Sequence, residues 1–195
     1  MAFFYMKKTL FSIVFGILIS FSSFAQDKVE IEERIRLDVV PKEAKDQVKN
    51  LFGKVKSLKW YKETSLEKIS YEAKFKFNRH FYSVEFDTLG TLEDIEIEIK
   101  QDGLSETTLQ NLGNYLSQNF EEHTVSKIQR QLTGDISELK KYLKGDQNAE
   151  ITIKYEIIVS GKSEDWNAWE MLFDKDGNFI SKEKVIMKWS DNLIF

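Results

Sequence analysis

Cysteine is absent from this sequence, and proline and histidine are nearly so: one proline and two histidines occur in 195 residues. Without cysteine the chain cannot form a disulfide framework, a thiolate metal site or a thiol nucleophile. His80 and His123 give a histidine-based catalytic centre little to draw on. The 28 basic residues form no block and are outnumbered by 32 acidic ones, which disfavours nucleic acid as a partner. We therefore predict no enzyme, no nucleic-acid binding and no cofactor.

Residues 1–25 also lack any acidic side chain, and they are typical of an export signal. Lys7 and Lys8 precede an apolar run of about a dozen residues, and small side chains at Ser23 and Ala25 fit cleavage after Ala25. The alternative is a membrane anchor, but a spanning helix needs about 20 apolar residues and this run is shorter. We predict a periplasmic or secreted protein with no stable membrane span after signal removal.

A short string of sequence recurs 87 residues further along the chain: FDTLG at 86–90 aligns with FDKDG at 173–177. Each string is typical of a strand that enters a tight turn, with Asp and Gly where the backbone reverses. Alternating apolar runs flank each turn, at 71–77 and 95–99 in the first copy and at 151–159 and 182–189 in the second. The pattern predicts antiparallel hairpins in two similar units.

Each predicted unit also contains a helix before its strands. Pro41 suits the first turn of one helix, and Ser105 suits the N-cap of the other. A short extra helix is predicted near 135–144, within the second unit. The predicted fold is therefore α+β: a tandem duplication of a helix packed on a four-stranded antiparallel sheet, with a short extra helix inserted in the second unit.

The pattern predicts four segments in the chain. They are a signal peptide at 1–25, an extended lead-in at 26–40, a first α+β unit at 41–101 and a second unit at 102–195. The lead-in alternates apolar and polar residues, which leaves open whether it is a further edge strand or an ordered segment before the first helix.

Four local features of the first unit occur together. They are Pro41 before a short helix, FG at 52–53 where that helix ends, LKWY at 58–61, and the aromatic strand FYSVEFDTLG at 81–90. Together they resemble the β-lactamase-inhibitor-like, PepSY-like family of exported Bacteroidetes proteins, which are often built from two tandem copies. One departure is NRH at 78–80, where the family often has a glycine turn.

The resemblance covers roughly residues 35–100 well and 105–189 less well. It implies an α+β fold in which each helix lies on one face of an antiparallel sheet, and it implies no catalysis. Named relatives inhibit a β-lactamase through a sheet surface. No motif here carries their contact residues onto numbered positions of this chain.

Aromatic side chains are the leading functional feature. Those on or beside predicted strands are Trp60, Tyr61, Phe81, Tyr82, Trp166, Trp169 and Trp189. Adjacent pairs such as Trp60-Tyr61 must put one ring on each face of the sheet. One face packs beneath the helix, so the other ring lies on the open face, where aromatic clusters serve as binding hot spots. The alternative is cross-strand aromatic pairing that stabilises the sheet.

Two acidic patterns invite a metal interpretation. The row Asp94, Glu96 and Glu98 places carboxylates about 7 Å apart on one face of a strand, which suits a cation or a basic partner. We favour a solvated sheet face that Lys74 and Lys76 neutralise. The string DKDGN at 174–178 partly fits a calcium loop, but the first ligand position falls on leucine, so we predict a hairpin turn and no metal site.

These features favour binding over catalysis. We predict an exported, non-catalytic module that presents its open sheet faces to a protein or peptide partner of the cell envelope. The predicted contact residues are Trp60, Tyr61, Tyr82, Trp166 and Trp169. The alternative is a small-ligand or cation sensor in the periplasm.

Overall fold

The computed structural model describes residues 27–28, 31–65 and 68–185. The predicted signal peptide and its cleavage site lie outside these ranges, as does Trp189. Within the described part of the chain, no helix is both long and apolar enough to cross a membrane.

The described fold consists of ten strands and three α-helices. The strands are β1 (Asp27–Lys28), β2 (Ile31–Ile35), β3 (Lys56–Thr64), β4 (Ile69–Phe77), β5 (His80–Phe86), β6 (Leu92–Glu98), β7 (Glu122–Thr133), β8 (Thr152–Lys162), β9 (Trp166–Asp174) and β10 (Phe179–Val185). The helices are α1 (Lys42–Phe52), α2 (Glu106–Asn119) and α3 (Ile136–Leu143). Short 3-10 turns at Leu37–Val39 and Gln101–Gly103 precede α1 and α2.

All ten strands belong to one sheet, in the order β1-β10-β9-β8-β7-β6-β5-β4-β3-β2. Every pair from β2 to β10 is antiparallel, and β1 is parallel to β10. The α+β class and the antiparallel sheet are therefore confirmed. The two predicted four-stranded sheets are a single sheet, because β6 pairs with β7 and Ile95 lies opposite Leu132. This pairing satisfies backbone groups that two separate sheets would leave at exposed edges.

The N-terminal strands bring the two edges of this sheet together. β1 and β2 lie at opposite ends of the strand order, although only residues 29–30 separate them in the chain. Three peptide steps span at most about 11 Å between the Cα atoms of Lys28 and Ile31. The sheet is therefore strongly curved, and the predicted lead-in at 26–40 includes an edge strand, β2.

The helices lie on the outer side of this curve. Ten strands spaced about 4.8 Å apart enclose a width of roughly 15–20 Å. That width leaves no room for three helices, each about 10 Å across. The side of the sheet without helices is therefore its inner side, which we call the helix-free face.

Two hydrophobic clusters fill the space between the helices and the sheet. In the first, the helix residues Ala44, Val48, Phe52 and Leu139 pack on the sheet residues Trp60, Phe75, Tyr82, Val84, Phe86 and Ile95. In the second, Leu112, Leu116 and Phe120 pack on Tyr155, Ile157, Val159, Met171 and Phe173. The sheet residues in both clusters have the same alternation, so all three helices cover the same face.

The short extra helix was predicted near 135–144, and α3 occupies Ile136–Leu143. It follows β7 in the chain, yet Leu139 packs in the first cluster beneath α1. The Nζ of Lys140 donates a hydrogen bond of 2.6 Å to the Oδ1 of Asn50 on α1. The insertion thus joins the second part of the chain to the core of the first.

The two aligned strings form turns with the same hydrogen bonds. In the first, the backbone N–H groups of Leu89 and Thr91 donate to the carboxylate of Asp87. In the second, those of Asp176 and Asn178 donate to Asp174 in the same way. Gly90 and Gly177 have φ values of 86° and 85°, which glycine adopts without strain. The prediction of a hairpin turn at 174–178 is confirmed.

Candidate functional site

The helix-free face is the part of the molecule on which the functional prediction depends. Side chains alternate between the two faces along each strand. Trp60, Ala73, Val84 and Ile95 form one row across β3 to β6 and face the helices. The next row on the other face is Tyr61, Glu72, Glu85 and Asp94, which lie opposite one another in register. The candidate site is built on this row and its neighbours.

The structure divides the predicted aromatic contact residues between the two faces. Trp60 is 4% exposed and Tyr82 is 8% exposed, and both lie in the first hydrophobic cluster. Trp169 packs against the second cluster, with the Nζ of Lys182 4.8 Å from its ring centroid. These three residues face the helices, so they cannot present a ring on the helix-free face. The tertiary structure decides which face of the sheet the helices cover, and a pair of adjacent aromatic residues does not show it.

The other aromatic residues lie on the helix-free face. Phe81 is 56% exposed and Trp166 is 53% exposed, while Tyr61 is partly buried. Lysines lie over two of these rings: the Nζ of Lys74 is 5.0 Å from the ring centroid of Tyr61, and that of Lys76 is 5.2 Å from Phe81. Tyr61 and Trp166 are therefore the predicted contact residues that stay available, and Phe81 joins them.

Two groups of carboxylates lie on the same face as Tyr61 and Phe81. The first acidic cluster is Glu32, Glu63 and Glu72, and the second acidic cluster is Glu85, Asp94 and Glu96. Within each cluster the carboxylate oxygens lie within 4.8 Å of one another. The clusters adjoin, because Glu72 on β4 is the register partner of Glu85 on β5.

The ammonium group of Lys74 lies within the first acidic cluster. The Nζ of Lys74 lies 2.5 Å from a carboxylate oxygen of Glu32 and 2.8 Å from one of Glu72. Burial lowers the pKa of Lys74, but the charge of Glu72 and the hydrogen bond to Glu32 outweigh it, so the pKa is raised. Glu72, which is only 3% exposed, is therefore compensated by a cation.

The second acidic cluster is contacted by neutral amides. The Nε2 of Gln129 donates to Glu96 at 2.5 Å, and the Nε2 of Gln131 donates to Asp94 at 3.1 Å. Among the described residues, no Lys or Arg forms a salt bridge with Asp94 or Glu96. The Oδ1 atom of Asp94 is buried and has no hydrogen-bond partner within the described part of the chain.

Burial, and repulsion between the carboxylates, oppose ionisation of the second acidic cluster. Burial, and then the charge of Glu85, raises the pKa of Asp94 to about 8. Burial also raises the pKa of Glu96 well above its ordinary value, and the charges of Glu156 and Asp94 add to this. A cationic group placed among these carboxylates would relieve that repulsion.

The acidic row predicted as a solvated face is only partly solvated. Glu98 is exposed, but Glu96 is only 5% exposed and Asp94 is partly buried. Lys74 and Lys76 do not neutralise the row, because Lys74 pairs with Glu32 and Glu72 and Lys76 lies over Phe81. The alternation along β6 showed which face of the sheet carries these acids. It did not show that the curvature of the sheet buries them, because curvature is not encoded in the pattern of one strand.

The two histidines lie away from the carboxylate clusters. The Nδ1 of His80 is 3.3 Å from the backbone oxygen of Glu98, and His123 lies opposite Gly161 near the far end of β7. The carboxylates of the site therefore suit the binding of an ammonium, a guanidinium or a metal ion, with the exposed ring of Phe81 on the adjacent strand.

Comparison with known proteins gives similar folds. No family model matches the chain, and no curated protein does. A DUF2874 family protein from Bacteroides ovatus and a candidate periplasmic protein from Bacteroides eggerthii each have a TM-score of 0.52 at 14% identity. In both cases the match covers 74% of this chain and 88% of the other. A BLIP-like protein from Bacteroides fragilis has a TM-score of 0.48 at 14% identity, over 76% of this chain and 89% of that one.

At this level of identity the likeness concerns the fold alone. The α+β fold of this chain is shared with DUF2874 proteins of Bacteroides, in agreement with the architecture that the sequence resemblance implied. The PepSY-like part of that resemblance stays a prediction.

Proposed function

We propose that this chain is an exported, non-catalytic binding module whose helix-free face contacts a protein or peptide partner in the cell envelope. The observation that carries the proposal is the distribution of the helices. All three cover one face of the sheet, and the other face carries Phe81 and Trp166 with about half of each ring exposed. Burying a large aromatic side chain contributes about 1.5–3 kcal/mol, which makes such rings effective anchors at an interface.

Two further observations support an envelope location. Residues 1–25 have the charge and apolar pattern of an export signal. A Bacteroides eggerthii protein with the same fold is a candidate periplasmic protein. The absence of cysteine leaves stability to the two hydrophobic clusters, which an oxidising compartment does not affect.

We also propose that the fold is a tandem duplication of about four strands and a helix. The turns at Asp87 and Asp174 have matching hydrogen bonds, and each turn glycine lies against the first residues of a helix. A Cβ atom at Gly90 would lie 2.8 Å from the backbone nitrogen of Ala44, and one at Gly177 would lie 2.5 Å from the backbone oxygen of Thr108. Equivalent turn-to-helix contacts at two places are what a duplication would leave.

Site-specific photocrosslinking tests the binding proposal. A photoreactive phenylalanine analogue replaces Phe81 or Trp166 in the full chain, and Leu109 on the outer surface of α2 serves as the matched control at 38% exposure. Crosslinking in envelope extract should give the same discrete adduct from positions 81 and 166, and none from 109. Adducts from 109 alone, or from no position, would exclude the helix-free face.

A cation sensor is the second candidate function, and the second acidic cluster favours it, because no salt bridge reaches Asp94 or Glu96 among the described residues. Calcium titration by calorimetry tests this function. A heat of binding that disappears in Asp94→Asn would support it, whereas no heat with the wild-type chain would eliminate it.

A further inference from the structure

We infer that the partner contacts the helix-free face with an acidic segment, an extended stretch whose aspartate or glutamate side chains lie against one end of β3 and β4. This inference rests on the proposed function and adds the chemistry of the partner. The surface, which we call the basic surface, consists of Lys56, Lys59, Lys76 and Arg79, with the exposed ring of Phe81 beside them.

Lysines lie directly opposite lysines where β3 pairs with β4. Lys56 is the register partner of Lys76, and Lys59 is the register partner of Lys74. All four lie on the helix-free face, because Trp60, the neighbour of Lys59, faces the helices. Like charges directly opposite one another destabilise a pair of strands. An anion bound over these lysines would relieve their repulsion.

Most of these cations have no acidic partner within the protein. Lys74 is compensated in the first acidic cluster. The other three lysines and Arg79 are exposed, and no salt bridge among the described residues includes any of them. Glu98 on β6 lies beyond the ring of Phe81 and likewise forms no salt bridge in the described ranges. The basic surface therefore stands out in a chain of net charge −4, and it is complementary to an acidic partner.

A β-bulge places Lys56 on this face. Between the pairs Lys56–Lys76 and Lys59–Lys74, β3 has one residue more than β4. Regular alternation would put residues 56 and 59 on opposite faces, because they are three positions apart. Ser57, within the bulge, has a φ of 58°, which is uncommon for a residue other than glycine. Bulges of this kind redirect side chains, and here the result is a longer row of lysines.

The turn between β4 and β5 also favours charge over backbone comfort. Phe77 pairs with His80, so Asn78 and Arg79 form a two-residue turn, with φ values of 46° and 73°. Asn followed by Gly is the preferred sequence for such a turn, because both residues need a positive φ. Arg79 stands where that glycine would be. Of the described residues other than glycine, only Ser57, Asn78 and Arg79 have a positive φ, and all three lie at the basic surface.

The spacing of the cations suits an extended segment and not a single small anion. Lys56 and Lys59 lie two register positions apart, which is about 7 Å along the strand, and alternate side chains of an extended peptide have the same spacing. Phe81 is the register partner of Lys76 and is 56% exposed. Its ring offers an apolar side chain of the partner a contact that an inorganic anion would not use.

The test uses the full chain and two synthetic peptides. One peptide alternates glutamate and serine around a central leucine, and the matched peptide has glutamine in place of glutamate. At low ionic strength the wild-type chain should bind the glutamate peptide, and added salt should weaken the binding. The double variant Lys56→Gln/Lys59→Gln should lose about tenfold in affinity or more, which corresponds to about 1.4 kcal/mol. The matched control is Lys49→Gln/Lys144→Gln, an equal change of charge at exposed residues of the helix side, and it should bind as the wild type does.

Arg79→Gly separates a binding role from a structural one. Glycine adopts the φ of 73° without strain, so the variant should unfold at a higher temperature than the wild type. It should nevertheless bind the glutamate peptide more weakly, because one cation of the basic surface is lost. Equal or tighter binding by this variant would overturn the role of Arg79.

Several outcomes overturn the inference as a whole. They are the absence of binding to the glutamate peptide, equal binding of the glutamine peptide, and equal losses in the Lys56/Lys59 variant and its control. Displacement of the glutamate peptide by an equimolar amount of inorganic phosphate would also overturn it, because the surface would then be a site for a single anion.

Failure of this inference is distinguishable from failure of the proposed function. A crosslinked partner whose adduct segment carries no aspartate or glutamate would retain the binding function and overturn the acidic partner. Absence of any adduct at positions 81 and 166 would overturn the binding function itself.

Discussion

The two acidic clusters of the helix-free face adjoin each other and contain three carboxylates each, but in the described part of the chain their contacts differ. In the first, Lys74 bonds Glu32 and Glu72; in the second, the amides of Gln129 and Gln131 reach Glu96 and Asp94. Carboxylate spacing alone therefore does not determine the state of such a site. The strands that carry the two clusters differ: β4 contains Lys74, whereas β5 and β6 contain no lysine.

The difference has opposite consequences for pH dependence. The pKa of Lys74 is raised above its ordinary value, so its contribution to stability is present below about pH 10 and is lost only at higher pH. The pKa of Asp94 is raised to about 8, so the unfolded chain loses that proton well before the folded chain does. The second cluster therefore favours the folded state most below about pH 4, and its contribution falls as the pH rises towards 8.

Removing the ammonium from the first cluster should have the largest effect. Lys74→Met leaves Glu72, which is 3% exposed, without its cation, and we expect a loss of about 2–4 kcal/mol in the free energy of unfolding. The range is set low because the Lys74 side chain is 34% exposed and its ion pairs are partly screened. Urea denaturation at neutral pH measures the loss.

Lys76→Met is the matched control, since Lys76 lies on the same strand and face and is exposed. Its expected effect is within about 0.5 kcal/mol. Equal losses in the two variants would show that the first cluster does not depend on its lysine.

Neutralising the second cluster should have the opposite sign. Asp94→Asn removes a buried carboxylate, and the new amide can still accept from Gln131 and can donate to a neighbouring carboxylate. We expect a gain of about 1–3 kcal/mol at pH 8 and little gain near pH 3, where Asp94 is protonated in the folded state and largely protonated in the unfolded state. Denaturation curves across this pH range should show a flatter dependence for the variant, and an unchanged slope would contradict the raised pKa of Asp94.

Giving the second cluster its own lysine should make the two clusters alike. Gln131 lies opposite Glu96 and donates to Asp94, so Gln131→Lys brings an ammonium to the same carboxylates. We expect a gain of about 1 kcal/mol in the free energy of unfolding at pH 8 and a lower pKa of Asp94. Urea denaturation at pH 8 measures the gain, and an unchanged free energy of unfolding would mean that the new ammonium does not reach the cluster.

The smallest effect is expected at the exposed margin of the second cluster. Lys68 pairs with Glu93 at 2.5 Å, and its charge also lowers the pKa of Asp94. Lys68→Met should cost about 0.5 kcal/mol or less, because the Lys68 side chain is 49% exposed and solvent screens its ion pair. Carboxyl-detected NMR titration should show the Asp94 transition at a higher pH than in the wild type. A transition at an unchanged pH would mean that Lys68 does not act on the cluster.

Much of the local structure was predictable from the residues. Ser105 was predicted to begin a helix, and its Oγ accepts a hydrogen bond from the backbone N–H of Thr108. Ile95 and Ile97 were predicted to be buried on one phase of a strand, and they are. These features depend on neighbours only a few residues apart, which is why pattern and capping chemistry identify them.

The candidate site was predictable only in part. The faces of Tyr61 and Trp166 follow from alternation, but the burial of Glu96 and the pairing of Lys74 with Glu32 depend on residues far apart in the chain. The pairing of β6 with β7 also joins two segments that the sequence presents as separate units. Such long-range pairings leave no periodic signal in one sequence.

The sequence by itself determined the alternation of each strand, the two Asp–Gly turns, and the absence of cysteine that leaves stability to the hydrophobic clusters. It thereby determined which residues share a face of the sheet. Only the tertiary structure decided that the sheet is continuous and curved, that the helices cover one side, and that one of two adjoining acidic clusters contains a lysine. The reason is physical: alternation is a property of one strand, whereas register, curvature and burial arise when distant strands pair.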